Sequence, residues 1–254
     1  MDTSKFEQAG WNVRCGWGPD ALRLLAPQVD VVVIVDVLSF STTVDVALSR
    51  GVIVFPYRWH DGTEHEFASQ IGATVASRRG EPGLTLSPAA LIDAQRGTRL
   101  VLPSPNGATL TQGALEMGAK RVLVGCLRNA SAVAKAIEVE ETVAVIAAGE
   151  RWGGATGPLR PAIEDQLGAG AIITALGREG CSPEAVVAQA PFVAGLDISR
   201  IVSGSGSGQE LSDAGFGEDV ELAVQMDCSE MVPELQGIQI LDSGPTATMA
   251  PSQP

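Results

Sequence analysis

Val31–Val35 is an unbroken run of β-branched residues bounded by Asp30 and Asp36. Because it is apolar on both faces, it predicts a strand in the middle of a parallel sheet. Beyond the loop at 36–40, Val44, Ala47 and Leu48 fall at helical spacing, and Gly51 supplies a C′ stop. Val52–Phe55 predicts the next strand, followed by a helix over 64–78 with Phe67, Ile71 and Val75 on one stripe. The same alternation then repeats. Arg99–Leu102 predicts a strand and 108–118 a helix; Arg121–Gly125 predicts a strand, and Asn129 opens a helix running to about 139. Thr142–Ala148 predicts a strand that ends in Gly149-Glu150, and Pro161 starts a helix running to about 178, proline being well suited to the first helical position. This rhythm predicts an α/β fold, layered α/β/α around a largely parallel or mixed sheet.

The last third is less regular. Residues 203–208, SGSGSG, read as a linker when taken alone. Residues 243–254, rich in Pro, Ser and Thr, read as a frayed tail after one domain, or two closely joined lobes, over 1–242. With 254 residues, 45% of them hydrophobic, the chain can bury a large core. The formal charge of −13 changes the functional picture more. It argues against nucleic acid, whose binding rests on Lys and Arg neutralising phosphates, and against an anionic membrane surface. The N-terminal segment has no continuous apolar stretch of the signal-peptide kind, and no window resembles a membrane span. Cys15, Cys126, Cys181 and Cys228 are scattered with no CxxC pair, so reduced thiols and a cytoplasmic location are expected. A homo-oligomer is the default expectation for a soluble enzyme of this size.

Candidate chemistry gathers at strand ends. Asp36, Asn106-Gly107 and Glu150 each follow a predicted strand, and ligands of open parallel sheets bind beyond the carboxyl ends. Ser41, Thr42 and Thr43 stand where a helix begins, so free amides, the helix dipole and three hydroxyls offer an oxyanion site; ordinary N-capping explains the same residues. Glu164 and Asp165 fall in a helical first turn, where the dipole alone favours acids. Together with Asp36 and Glu150 they would form an all-oxygen cage suited to Mg2+. Asp219 and Asp227 are weaker candidates. Zinc is disfavoured, because the only histidines are His60 and His65 and no cysteine pair is near them. Leu38 stands where a dehalogenase-type phosphatase needs its second aspartate, and Ala132 where a cysteine phosphatase needs arginine. Neither GxxxxGK[ST] nor a GxGxxG opening a helix after a strand is present. The residues alone lead to an α/β protein with an anion-binding edge that could also hold a metal.

The segment VVVIVDVLSFSTTVDVAL resembles the strand–loop–helix signature of the 2-phosphosulfolactate phosphatase (ComB) family, usually close to DVLRATTT. Further elements follow in order: Ser87-Pro88, SPNGATL, GCLRNASAVA, AAGE, AIEDQLGAGAI and SGSGQELSDAGFGEDVELAVQMDCSEMVPEL, so the resemblance spans roughly 30–235. It implies Mg2+-dependent hydrolysis of 2-phosphosulfolactate to sulfolactate and phosphate, in coenzyme M biosynthesis. On this reading Asp36, Glu150, Glu164 and Asp165 hold metal. Ser39, Ser41, Thr42, Thr43, Asn106, Gly107, Asn129 and Ser207 cradle the substrate, which places SGSGQEL at the site wall rather than in a linker. Asp36, Glu150, Cys126 and Arg128 carry the chemistry, and a covalent route through Asp36 or Cys126 stands beside metal activation of water. One departure matters: the arginine of DVLR is Ser39 here, leaving Arg128, Arg151 or Arg160 to meet the anion. That loss also motivates an alternative, a non-catalytic binder of small organic anions on the same scaffold.

Overall fold

The alternation of Val31–Val35 does serve two cores at once. In the computed structural model, which describes residues 3–58, 62–139, 141–154 and 157–244, Val32 and Ile34 enter one apolar cluster and Val31, Val33 and Val35 another. The chain runs β1 (Val13–Trp17), α1 (Gly18–Leu25), β2 (Val31–Val35), α2 (Phe40–Ser49), β3 (Ile53–Arg58), α3 (Glu64–Ile71) and β4 (Thr74–Val75). There follow β5 (Arg99–Ser104), α4 (Gly107–Glu116), β6 (Arg121–Gly125), α5 (Ala130–Lys135), β7 (Val143–Ala147), β8 (Glu150–Arg151) and β9 (Leu159–Arg160). The last part is helical: α6 (Ile163–Leu176), α7 (Pro183–Val193), α8 (Ile198–Ser203), α9 (Gly206–Asp213) and α10 (Gly217–Ala223), closed by β10 (Pro233–Gln236) and β11 (Gln239–Asp242). Helices cover both faces of a mixed, mostly parallel sheet, as the strand–helix rhythm predicts, and β8–β9 form a separate small ladder. No helix among the described residues is long and apolar enough to cross a membrane.

The sheet order is β1-β7-β2-β6-β10-β11-β3-β5-β4. β1, β7, β2 and β6 are mutually parallel, as are β3, β5 and β4. Between these blocks lies the β10–β11 hairpin, joined antiparallel to β6 through Glu234–Leu123 and to β3 through Ile240–Val54. Three successive antiparallel steps turn the second block against the first. The expectation that Asp36, Asn106 and Glu150 share one edge of a single parallel sheet is therefore corrected for Asn106, which follows a strand of the reversed block. The ends meet for another reason: α2 and α4 pack against strands of both blocks. The start of α4, carried by β5, thus lands on the start of α2, carried by β2. The approach is so close that a Cβ on Gly107 would lie 2.4 Å from the Phe40 ring.

Several local expectations change. The helix predicted over 64–78 stops at Ile71, because Gly72 turns left-handed (φ +64°) and releases Thr74–Val75 to pair with β5. The helix expected to reach 139 ends at Lys135, with Asn129 at its N-cap. Helix α6 starts at Ile163, behind an Ala162 N-cap, rather than at Pro161, and ends at Leu176. The presumed linker 203–208 is ordered as the end of α8 and the start of α9, where the Ser205 hydroxyl accepts the Gly208 amide at 3.1 Å. Of the predicted tail, Ser243 and Gly244 are tied back to Val232 and Asp242, and 245–254 lie outside the described residues.

Helix α6 packs tightly because its glycines leave no side chain in the way. A Cβ on Gly170 would sit 2.0 Å from the Ala188 carbonyl oxygen of α7, and one on Gly168 would sit 2.5 Å from Val37. Alanine ordinarily strengthens a helix interior by about 1 kcal/mol over glycine. Here the clash is with backbone, which cannot swing aside, and overpacking of that kind costs about 2 kcal/mol. Gly170→Ala is therefore expected to lower the urea unfolding midpoint; a raised midpoint would show that α6 and α7 separate freely.

Candidate active site

Asp36 follows β2 directly and is almost fully buried. Its Oδ2 accepts the Gly107 amide at 2.9 Å, and the Phe40 amide also donates to its carboxylate. These are the first N–H groups of α4 and α2, which have no partner inside their own helices. One carboxylate therefore caps two helices. Asp165, in the first turn of α6, works in the same sense: its Oδ1 accepts the Val37 amide at 2.7 Å and its Oδ2 the Gly149 amide at 2.8 Å. It pins the loops after β2 and β7 to each other. Glu150, next to Gly149, accepts from the Asn106 side chain at 3.0 Å and from the Arg151 amide at 2.7 Å. Glu164 is buried, and its Oε2 has no hydrogen-bond partner among the described residues.

These four acids face one cavity of about 580 Å3, bounded also by Leu38, Ser39, Arg79, Arg151, Trp152, Arg160, Ser207, Glu210 and Leu211. Burial and concentrated negative charge show in the proton affinities of Asp36, Asp165 and Glu164. Burial and then the Glu150 charge push the Asp36 carboxyl up to about 7, against the two helix amides that pull it down. Burial, Asp36 and Glu164 raise Asp165 well above the carboxylate range. Burial also raises Glu164, while the Ser207 hydroxyl and the Arg160 charge hold it down.

The predicted residues divide into three groups. Asp36, Ser39, Glu150, Glu164, Asp165 and Ser207 do line the cavity. Asn106 and Gly107 reach it through Glu150 and Asp36, so they orient carboxylates. The hydroxyls of Ser41, Thr42 and Thr43 are turned inward: Ser41 Oγ accepts the Asp36 amide at 2.9 Å, Thr42 Oγ1 donates to Val37 O at 2.6 Å, and Thr43 Oγ1 to Leu86 O at 2.7 Å. They brace the loop, and none of the three lines the cavity. Cys126, Arg128 and Asn129 form a separate knot. Asn129 accepts the Cys126 amide at 2.8 Å and donates to Met231 O, while Arg128 Nε pairs with buried Asp45 at 2.8 Å. None of the three lines the cavity. Asp227 serves Ser131, and Asp219 serves Ser87, Ala89 and Arg79. His60 lies outside the described residues, and His65 lies on α3. Arg79 is the cationic cavity residue with no counterpart among the sequence candidates, as Trp152 is the aromatic one; Arg79 stands in a loop after β4, with no periodicity or motif to mark it.

Among the described residues no three acidic, histidine or cysteine side chains come close enough together to hold an ion by themselves. Mg2+ does not need that, since it commonly keeps several waters and takes one or two carboxylates together with substrate phosphate. Hard oxygen donors in excess and an unpartnered Glu164 Oε2 fit that mode of binding.

Two outcomes follow from this geometry. The folded state favours protonated Asp36, whereas an unfolded aspartate titrates near 4. The penalty for ionising it thus appears as pH rises from about 4 through about 7. In chelating buffer, the melting temperature of Asp36→Asn relative to wild type should climb over that interval and level off above it; a flat difference would show that the carboxyl is ordinary. Cys126 is fully buried, with its thiol pushed up to about 12, whereas Cys228 is exposed. A thiol reagent should label Cys228 at once and Cys126 only after denaturation, and rapid native labelling of Cys126 would reopen the covalent route.

Sequence comparison bears on the same residues. The profile of one family, described as 2-phosphosulpholactate phosphatase, matches residues 21–237, a stretch that contains every acid of the cavity. The chain is 35% identical over 208 residues to the 2-phosphosulfolactate phosphatase of Methanothermobacter thermautotrophicus, covering 79% of this chain and 84% of that protein. It is 31% identical over 221 residues to a probable 2-phosphosulfolactate phosphatase of Thermus thermophilus, covering 82% and 89% respectively. A protein of the same description from Deinococcus radiodurans is 30% identical over 222 residues, covering 81% and 88%. Coverage on both sides is too complete for a shared fragment, and the chain belongs to the 2-phosphosulfolactate phosphatase family.

Proposed function

We propose that the protein is a Mg2+-dependent phosphatase that hydrolyses a small phosphate monoester, 2-phosphosulfolactate or a related phospho-hydroxy acid, to the hydroxy acid and inorganic phosphate. The observation that carries this reading is the convergence of Asp36, Glu150 and Glu164 on one cavity, each from a different part of the chain. The names of the relatives supply the substrate class. Glu164, with Asp36 or Glu150 as a second carboxylate, would hold Mg2+, which when bound neutralises phosphoryl charge and makes a water nucleophilic at neutral pH.

The remaining chemistry is positioning. The amides of Gly107 and Phe40 fix the Asp36 carboxylate, and the Asn106 side chain and Arg151 amide fix Glu150. Asp165 spends both oxygens on backbone amides, so it holds the loops that carry Asp36 and Glu150 at a set separation. Leu38, Trp152 and Leu211 supply apolar wall, which reduces the water that competes with the intended nucleophile. Cys126 and Arg128, engaged in their own knot, stand outside the mechanism.

Phosphate release from 2-phosphosulfolactate is the direct assay. Wild type should release phosphate with Mg2+ and lose that activity in chelator. Asp36→Asn and Glu164→Gln should each lower kcat by about a hundredfold, the scale expected when a reacting group is misplaced. Cys126→Ala should stay within about twofold of wild type, as expected for a residue outside the reacting assembly. Undiminished turnover by Asp36→Asn, or turnover indifferent to chelation, would remove this mechanism.

A further inference from the structure

The cavity must admit an anion although five of its lining side chains are carboxylates, so its cations decide where that anion sits. They are Arg79, Arg151 and Arg160. Arg151 donates to Gly157 O at 2.9 Å, and Arg160 lies over the Trp152 ring and faces Glu210. Arg79 is held differently. Its Nε faces the buried Asp219 Oδ2 at 3.3 Å, and its Nη2 reaches Leu86 O at 3.2 Å and Leu38 O and Ser39 Oγ at 3.4 Å. The Phe216 ring lies 5.5 Å from the guanidinium carbon. Nη1 makes no hydrogen bond to any described residue.

Two further observations bear on where the guanidinium sits and how firmly it is held. Both Asp36 and Glu150 act electrostatically on the guanidinium, so the group lies within reach of the acid cluster. Asp219 cannot drift, because its Oδ1 also accepts from Ser87 Oγ at 2.5 Å and from the Ala89 amide at 3.1 Å. The short side chain of Ser39 matters too: its hydroxyl touches Nη2, so a longer residue there would compete for the space that Arg79 fills.

We propose that Arg79 receives the phosphoryl oxygens of the substrate through its unpartnered Nη1 face, with Asp219 as the positioning residue that aims it. This rests on the reading that the cavity takes a phosphate ester. Arginine suits the task, since it stays charged and its fixed fork matches phosphate geometry. The fork is already ordered by four protein groups, so little side-chain freedom is lost when the anion arrives.

The test is calorimetric titration of the intact protein in Mg2+ with each product separately, inorganic phosphate and sulfolactate, which needs no turnover. Arg79→Gln should weaken phosphate about ten- to hundredfold, the range of a hydrogen bond to a charged group. Sulfolactate should weaken by less than about threefold, since it lacks the phosphoryl group. Arg79→Lys keeps the charge opposite Asp219, guarding against misfolding, and should still weaken phosphate about tenfold through loss of the fork. Asp219→Asn should reproduce the phosphate-selective loss. A purely structural role would weaken both ligands alike. That result, a loss confined to sulfolactate, unchanged phosphate affinity in Arg79→Gln, or no phosphate binding by wild type would each overturn the assignment. If wild type binds phosphate but releases none from 2-phosphosulfolactate or from other phospho-hydroxy acids, the phosphatase reading falls and the role of Arg79 in phosphate binding stands.

Discussion

The Asp36 carboxylate accepts amide hydrogens from the first residues of two helices that are carried by oppositely directed halves of the sheet. Other features of the site are arranged around that contact. It requires glycine at 107, because any Cβ there would enter the Phe40 ring. It requires Asn106 to stand one residue earlier, which puts its amide on Glu150. It also requires the loop after β2 to hold its course. The inward hydroxyls of Ser41, Thr42 and Thr43 enforce this by satisfying backbone groups of that loop and of its neighbour at Leu86.

Placing Asp36 there is electrostatically expensive, and the expense is informative. Two helix starts offer it positive dipole ends, each worth some tenths to about 1 kcal/mol, yet its proton affinity still rises, because burial shelters it from water and, after that, because Glu150 and Glu164 lie close by. An arrangement optimised for stability alone would have put neutral groups in these positions. Asp165 shows the contrast within one site. It faces similar burial, but both its oxygens are occupied by amides, so it reads as a strut. Glu164 keeps an oxygen without a partner, so it is the acid with most capacity left for something from solution.

How much of this was legible in the sequence depends on how local its cause is. β2, β6 and β7 were readable because they are buried on both faces, which leaves an apolar run with no alternation to misjudge. Asp36, Glu150, Glu164 and Asp165 were readable because each directly follows such a strand or opens a helix. β1, β10 and β11 escaped notice, since VRCGW, PELQ and QILD are short and mixed. The linker reading of SGSGSG failed because serine at an N-cap followed by glycines is also how a helix can begin when something packs closely against it. Here a Cβ on Gly208 would strike the Val202 carbonyl oxygen at 2.3 Å. Cys126, Arg128 and Asn129 entered through the family resemblance of GCLRNASAVA, which marks a segment without saying where its side chains point. What lies beyond β6 is the Asp45–Arg128–Ser229 knot rather than solvent, and only the return of the distant segment 225–232 puts it there. Arg79 depends wholly on partners 7 to 140 positions away, from Leu86 to Asp219, which no window of sequence contains.

That dependence on distant segments reaches the site through the hairpin. β10 and β11 are eight residues far from the cavity in sequence, yet they reverse the second block of strands and so set where β5 delivers α4. The hairpin meets each block through a single bridging pair, helped on one side by Glu234, which pairs with Arg121 of β6 at 3.2 Å. Such a join is weak by the standard of a full ladder. The two blocks are held in register chiefly by α2 and α4, whose apolar residues share one core with strands of both. Burial of those helices and capping of their first residues by Asp36 are therefore one constraint seen from two ends. Packing brings the two helix starts together, and the carboxylate that satisfies their amides is the one left facing the cavity.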